Sequence, residues 1–253
     1  MLKLDQICVR YGTIDALRDV SATIERGRVT AIIGPNAAGK STLLRCMAGA
    51  VRPDSGSVVL DEAPVHRIPA RALAQRMAYV SQRPSVSAAF TVQEVVELGR
   101  YALPRDASAV RRAMQQMDLE DLSHRIVPTL SVGQQQRAAV ARALAQSAPD
   151  GVLMLDEPTA AMDMKHALRC IDQLRVRAAG GAAVILSVHD LTNVADIADD
   201  VLLLNDGVLA AHGPMAQVMT PTTLGEVFGV HFEWIRRSDN SRILMPQWAA
   251  GLK

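Results

Sequence analysis

An eight-residue loop from Gly34 to Ser41 limits the possible folds of this chain more than any other feature. Its residues, GPNAAGKS, match the pattern G-x-x-x-x-G-K-[ST]. The apolar run Val29 to Ile33 before the loop is typical of a strand buried on both faces, and the run from Ser41 to Ala50 after it favours a helix. A glycine-rich loop in this setting cradles phosphate groups. The sequence therefore predicts an α/β fold that binds ATP or GTP.

The loop residues have separate predicted contacts with a nucleotide. Lys40 would carry positive charge to the β- and γ-phosphates, Ser41 would offer its hydroxyl to Mg²⁺, and Thr42 would support a neighbouring phosphate. Ala37 stands where such loops commonly have glycine, but the pattern leaves this position variable, so we expect nucleotide affinity to survive. The complete predicted set is Gly34, Pro35, Asn36, Ala37, Ala38, Gly39, Lys40, Ser41 and Thr42.

Two carboxylates follow a second buried strand, predicted from Val152 to Leu155. Asp156 could hold Mg²⁺ through water, and Glu157 could orient the attacking water, which makes Glu157 the predicted catalytic residue. Carboxylates after a strand can also simply cap the next element. The phosphate loop favours the catalytic interpretation.

Apolar periodicity predicts three regions around these motifs. Alternation from Leu2 to Val9 and from Leu17 to Ile24 indicates antiparallel strands, and residues 84–148 carry apolar residues at helical spacing. The buried-type run from Ala183 to Ser187, with a predicted helix before it, indicates a parallel sheet. Asp206-Gly207 favours a hairpin. The end of the chain has no assignment, and the region from Arg83 to Ser87 is the nearest thing to a linker.

Charge, cysteines and hydropathy exclude several functions. Lys and Arg number 27 and Asp and Glu 26, so no broad basic field exists to bind nucleic acid. Cys8, Cys46 and Cys170 have no metal-ligand spacing and suit a reducing cytoplasm. The start lacks the pattern of a secretory signal, and the apolar runs are far shorter than the roughly 20 residues that span a bilayer.

Further motifs decide the family. Leu130 to Arg137 reads LSVGQQQR before a helical run, Ala160 to Asp163 reads AAMD, and SVHD ends the strand that begins at Ala183. With the phosphate loop, the carboxylate strand and Gln82, these motifs resemble the ATP-binding cassette family over roughly residues 2–230. The resemblance implies a P-loop NTPase with a RecA-like parallel sheet core, an antiparallel β subdomain and a helical subdomain. It also implies a nucleotide-binding domain at 1–230, with the helical part inserted at about 84–148, and a tail at 231–253.

The same resemblance implies roles for single residues. Tyr11 would stack on adenine, although a core tyrosine is the alternative. Gln82 would sense Mg²⁺ and water, and His189 would touch the γ-phosphate, although alone it suggests a hydrogen-bonded structural histidine. Asp163 would cross a dimer interface, or cap a helix. The residues implied to close over ATP held by an opposing subunit are Ser131, Gly133 and Gln134.

Val132 departs from the family pattern, which usually has glycine there. If that position needs a positive φ, a valine would carry roughly 1 to 3 kcal/mol of strain. We therefore hypothesise an imperfect closure and slow turnover, relieved by Val132→Gly.

The stretch from Pro84 to Tyr101 and the residues around Gly213-Pro214 resemble cassettes of iron-chelate, haem and cobalamin importers. This implies an ATPase using ATP and Mg²⁺, paired with a second copy of itself and attached to integral membrane permease subunits at the cytoplasmic face of the bacterial inner membrane. A periplasmic or surface binding protein would deliver the cargo, with haem or ferric siderophore favoured. Alternatives are a cobalamin or metal-ion importer, a soluble cassette regulator of translation or DNA repair, and a P-loop kinase.

Overall fold

The structure, a computed structural model, describes residues 1–84, 88–236 and 242–247. Residues 85–87 of the proline-bearing stretch, and residues 237–241 and 248–253 of the predicted tail, lie outside the described residues.

An antiparallel sheet forms from the first part of the chain, in the strand order β2-β1-β4-β5. The alternation predicted for the first strand changes phase between Leu4 and Ile7, and the pairing register with its neighbour shifts at the same place. Gln6 there has a φ of 49°, as in a β-bulge. The bulge keeps Leu4 and Ile7 on the same buried face. The strands are β1 (Leu2–Tyr11), β2 (Ile14–Ile24), β4 (Ser55–Leu60) and β5 (Ala63–Pro64).

A second sheet, mostly parallel, carries the order β10-β9-β3-β8-β7-β6. Its central strands are buried along their whole length, which confirms the prediction made from their continuous apolar runs. The last strand pairs antiparallel at the edge, across the Asp206-Gly207 turn. The strands are β3 (Val29–Ile33), β6 (Met77–Val80), β7 (Val152–Asp156), β8 (Ala183–Ser187), β9 (Asp200–Asn205) and β10 (Val208–Pro214).

Two helices cover opposite faces of this sheet. Helix α1 (Lys40–Met47) lies between the two sheets, where Leu43 and Leu44 pack with residues of both. Helix α6 (Met164–Ala179) packs on the other face through Cys170 and Leu174. Further helices are α2 (Ala70–Arg76), α7 (Val194–Ile197), α8 (Met215–Val218) and α9 (Pro221–Phe228).

The chain between β6 and β7 is helical, as its spacing predicts. Helices α3 (Val92–Leu98), α4 (Ala107–Gln116) and α5 (Val132–Gln146) pack around a shared apolar cluster that includes Val96, Met114 and Val140. Helix α3 begins with a capping box formed by Thr91 and Glu94. Single 3₁₀ turns at Glu120–Leu122 and Val127–Thr129 connect the last two helices.

The end of the chain, for which the sequence pattern indicated no element, contains a hairpin. Strands β11 (Phe232–Arg236) and β12 (Arg242–Pro246) pair antiparallel. Phe232 is buried and meets the ring of Phe228 edge-on, with ring centroids 6.2 Å apart. Among the described residues, no helix is long and apolar enough to cross a bilayer.

Candidate nucleotide-hydrolysis site

The phosphate loop joins β3 to α1. Gly39, the residue before the helix, has a φ of 100°, and a Cβ there would lie 2.6 Å from the carbonyl oxygen of Ala16. Only glycine meets both demands. No side chain in the described part of the chain caps the helix start. The amides of its first turn can therefore bind an anion instead.

Lys40 lies buried beneath the loop. Its ammonium group donates to the carbonyl oxygens of Gly34, at 2.8 Å, and Pro35, at 2.9 Å. Burial lowers the pKa of Lys40, an effect that the negative charges of Glu157 and Asp156 oppose. The loop therefore holds a cation whose charge lies close to the two carboxylates at the end of β7.

Asp156 ends β7 with one carboxylate oxygen bonded and the other unpaired. Oδ1 accepts a 2.6 Å hydrogen bond from the hydroxyl of Ser187 on β8. Oδ2 is buried and has no hydrogen-bond partner among the described residues. A buried carboxylate oxygen normally has a partner, and an oxygen ligand of this kind suits Mg²⁺. The residues present thus fit a bound magnesium ion.

Glu157 is fixed at its backbone and at its carboxylate. Its amide donates to the same Ser187 hydroxyl at 2.8 Å, and its Oε2 accepts from the Gln82 side chain at 2.8 Å. Its φ is 48°, a strained conformation for glutamate. Ser187, quoted only as part of a motif in the sequence analysis, therefore links the Asp156 carboxylate to the Glu157 backbone amide.

His189 follows β8 and reaches the phosphate loop. Its ring Nε2 donates to Oδ1 of Asn36 at 2.8 Å. The two predicted residues thus meet, which places an exposed imidazole beside the loop.

A cavity of about 620 Å³ lies at the phosphate loop, and neither Asp156 nor His189 is in its lining. Its lining includes the predicted residues Gln82, Lys40 and Glu157. It also includes residues that sequence reasoning missed, which are Ile14, Asp15, Ala16, Arg18, Asp206 and Gly207.

The Asp206-Gly207 turn between β9 and β10 contacts both β2 and the phosphate loop, which explains why these missed residues lie at the cavity. The Arg18 guanidinium donates to the Asp206 carbonyl oxygen at 2.6 Å, and the Gly207 amide donates to that of Ala38 at 3.2 Å. Long-range contacts of this kind leave no local sequence signal, and Asp206-Gly207 carried only a turn signal.

The remaining predicted residues lie apart from this cavity. Tyr11, at the end of β1, is 47% exposed and does not line it. Ser131 and Gln134 form a capping box at the start of α5, with bonds of 3.0 and 3.3 Å. Asp163 caps α6 by accepting from the His166 amide at 3.0 Å. The helix cap given as the alternative for Asp163 is thus confirmed, whereas the nucleotide and dimer-interface roles of these residues stay predictions.

Val132 and Ala37, which stand at positions where glycine is usual, differ in backbone conformation. Val132 is the first residue of α5 and does not have a positive φ, so the strain hypothesised for it is absent. The helix starts directly after Ser131, which makes this position helical. Ala37 instead has a φ of 62°, a left-handed conformation that costs about 1 kcal/mol or more without glycine. The strain therefore lies in the phosphate loop.

The strand, phosphate loop, helix and paired carboxylates define a P-loop nucleotide hydrolase. Comparisons with known proteins specify it further. The family model described as ABC transporter matches residues 17–160. The hemin import ATP-binding protein HmuV of Rhodopseudomonas palustris (strain BisA53) is 40% identical, over 90% of this chain and 87% of that protein. This chain belongs to the ABC transporter family, and it is an ATPase.

Other relatives extend the comparison. The cobalamin import ATP-binding protein BtuD of Halobacterium salinarum (strain ATCC 29341 / DSM 671 / R1) is 40% identical, over 84% of this chain and 54% of that protein. The dimeric structure of MJ0796, a bacterial ABC transporter cassette, superposes with a TM-score of 0.77 at 28% identity, over 85% of this chain and 99% of that one. The fold expected from the sequence motifs is confirmed.

Proposed function

We propose that this chain is the ATP-hydrolysing subunit of an importer for an iron chelate, with haem as the favoured cargo, and that it drives a separate permease. The observation that carries this proposal is the 40% identity to a hemin import ATP-binding protein over 90% of the chain. The nucleotide cavity itself is lined by groups suited to phosphate and Mg²⁺, and nothing in it would select a cargo. Cargo selection therefore belongs to the partners.

The working form is a head-to-tail pair of cassettes. The cavity that holds Lys40 and Glu157 is not lined by Ser131, Gly133 or Gln134 of the same chain. In a pair, the start of α5 from one copy would close over ATP bound to the loop of the other. An uncapped α1 start and the amides of the first turn of α5 then face the phosphates from two sides.

The chemistry follows from the phosphate loop and the residues around it. Asp156, Ser41 and Gln82 would hold Mg²⁺, which would neutralise charge on the phosphates. Lys40 exchanges its bonds to loop carbonyls for bonds to the phosphates. Glu157 orients the attacking water and accepts its proton, and His189 donates to the γ-phosphate.

A groove on the helical part offers a place for the permease. A cavity of about 680 Å³ lies between α3 and α4. Its apolar lining includes Phe90, Leu98 and Tyr101, which are all exposed, and Tyr101 is 83% exposed. Exposed apolar groups around a groove indicate a protein contact. The groove follows Gln82 in the chain, so a permease helix seated there would sense the nucleotide site.

The rest of the assembly follows from this arrangement. Residues 1–230 would form the nucleotide-binding domain, with the helical part inserted at about 84–148. Permease attachment would hold it at the cytoplasmic face of the bacterial inner membrane, with a periplasmic or surface binding protein on the other side. The balanced charge argues against nucleic acid as a partner.

Reconstitution tests the proposal. The chain is co-purified with its permease into liposomes, and ATPase activity is measured with the binding protein loaded with haem, a ferric siderophore or cobalamin. Stimulation by haem alone is the expected result. Stimulation by cobalamin alone would support the second candidate, which the 40% identity to a cobalamin import protein favours. ATPase activity that no permease alters would favour a soluble regulator and overturn the proposal.

A further inference from the structure

The end of α4 is held by arginines from two neighbouring helices. Arg169 of α6 donates to the carbonyl oxygens of Gln116, at 2.8 Å, and Gln115, at 2.5 Å. Arg137 of α5 donates to those of Met117, at 2.8 Å, and Asp118, at 2.6 Å. The last carbonyls of a helix lack partners within it, and cations stabilise that end. Both arginines therefore join their helices to the end of α4.

His166, in the first turn of α6, lies between two carboxylates. Its Nδ1 is 2.8 and 2.7 Å from the two Asp163 carboxylate oxygens, and its Nε2 is 3.2 Å from Oδ2 of Asp118. The side chain is only 18% exposed. A neutral imidazole has a single N–H, whereas the charged ring donates from both nitrogens. The geometry therefore suits the charged ring, which bonds both carboxylates at once.

The loop that ends at Asp163 is also fixed to the start of α5. A Cβ on Gly133 would lie 2.4 Å from the carbonyl oxygen of Ala161, so glycine is needed for this close approach. The loop thus contacts the start of α5, residues 131–134, which we call the Ser131 segment. Through His166 the same loop also contacts Asp118, at the end of α4.

From these contacts we propose that His166 is a positioning residue for ATP hydrolysis. Its ring bonds both Asp163 and Asp118 and so fixes the loop that ends at Asp163. This loop and the Ser131 segment then form one rigid surface that faces the opposing cassette. This inference rests on the proposed pairing of two cassettes. His166 touches no nucleotide in this scheme and acts only through the two aspartates.

The charges around the ring favour this link. The carboxylates of Asp118 and Asp163 face it, and the nearby cations are Lys165, Arg169 and Arg137. The hydrogen bond from His166 holds the pKa of Asp118 below its usual range, and the His166 amide and ring do the same for Asp163. Both aspartates therefore stay charged throughout the neutral range.

The test is the steady-state ATPase kinetics of the complex with the permease. His166→Gln should lower kcat by about three- to thirtyfold, with KM for ATP unchanged. His166→Arg should restore kcat, because a guanidinium keeps its charge and donates to two carboxylates.

Two further variants separate positioning from folding. Asp118 has a φ of 55°, which asparagine also tolerates, so Asp118→Asn removes the charge and keeps the backbone. It should lower kcat in the same direction as His166→Gln, with KM for ATP unchanged. His124→Gln makes the same substitution at an exposed histidine and should change nothing. Thermal unfolding of each variant measures folding directly.

Three outcomes would overturn the inference. The first is a kcat of His166→Gln equal to that of the unaltered complex, and the second is a well-folded His166→Arg as slow as His166→Gln. The third is an unaltered complex that hydrolyses ATP normally while its chains never pair, which would refute the proposed function as well.

Discussion

The Gln82 side-chain amide donates a 2.8 Å hydrogen bond to the Glu157 carboxylate, which joins the ends of two adjacent parallel strands. Gln82 also begins the segment that leads to the groove proposed for the permease. A movement of that segment would therefore change the position of the carboxylate. The bond leaves Oε1 of Glu157 available to a water molecule.

Replacing Glu157 with glutamine tests the carboxylate as a proton acceptor. An amide cannot take a proton from water, so hydrolysis should fall by about 100-fold or more. ATP binding should persist because the phosphate loop is unchanged. ATPase rates and nucleotide binding of the purified complex measure both effects. Gln82→Ala is the comparison variant and should slow hydrolysis less, since the carboxylate remains. Equal rates for Glu157→Gln and the unaltered chain would refute the assignment.

Replacing Ala37 with glycine should stabilise the protein. The alanine holds a φ of 62°, and relief of that strain exceeds the entropy that glycine adds to the unfolded chain. We expect a gain of roughly 0.5 to 1 kcal/mol, seen as a rise of about 1 to 3 °C in Tm without nucleotide. The matched control is Ala38→Gly, at a buried position without a positive φ, which should lower Tm. A lower Tm in both variants would contradict backbone strain at Ala37.

The three cysteines should differ in reactivity. Burial raises the pKa of Cys46 and of Cys170 to about 12, so both stay protonated thiols at neutral pH, whereas Cys8 is partly exposed. A thiol reagent at pH 8 should label one cysteine in the folded chain and three in denaturant. Cys8→Ser should abolish the labelling of the folded chain. Rapid labelling of a second cysteine in the folded state would contradict this packing.

The same pKa shifts predict a loss of stability in alkali. The unfolded chain releases these thiol protons near the ordinary value of 9.0, while the folded chain keeps them to about 12. Folded protein therefore binds more protons in this window, and the free energy of unfolding falls as the pH rises through it.

The parallel sheet and the phosphate loop were predictable because their signals are local. A run such as Val29 to Ile33, apolar except at Thr30, is typical of a strand buried on both faces when a glycine loop follows it. The helices between β6 and β7 carried equally regular spacing. Glu157 and Lys40 lie at one cavity because strand ends meet at one edge of such a sheet.

Other features depend on contacts between distant segments, which no window of sequence records. Arg18 reaches the cavity because it bonds to Asp206, 188 residues away. The hairpin of β11 and β12 depends on Phe232 packing beside α9. Ser187 shows only as one residue of a motif until the strand order puts its hydroxyl between the Asp156 carboxylate and the Glu157 backbone amide.

Substitutions at Val132 test whether this residue is strained, as its sequence position suggested, or helical, as in the structure. A valine strained by a positive φ would make Val132→Gly the most stable variant at this site, above Val132→Ala. Because the residue instead begins α5 in helical conformation and is 69% exposed, helix propensity should decide, with alanine at least as stable as valine and glycine the least stable. The differences should be about 0.5 kcal/mol or less each, measured by chemical denaturation. Any increase in the ATPase rate of the complex must then come from removing the exposed side chain, so Val132→Ala should share it with Val132→Gly. A rate that rises only in the glycine variant, together with a gain in its stability, would restore the strain hypothesis.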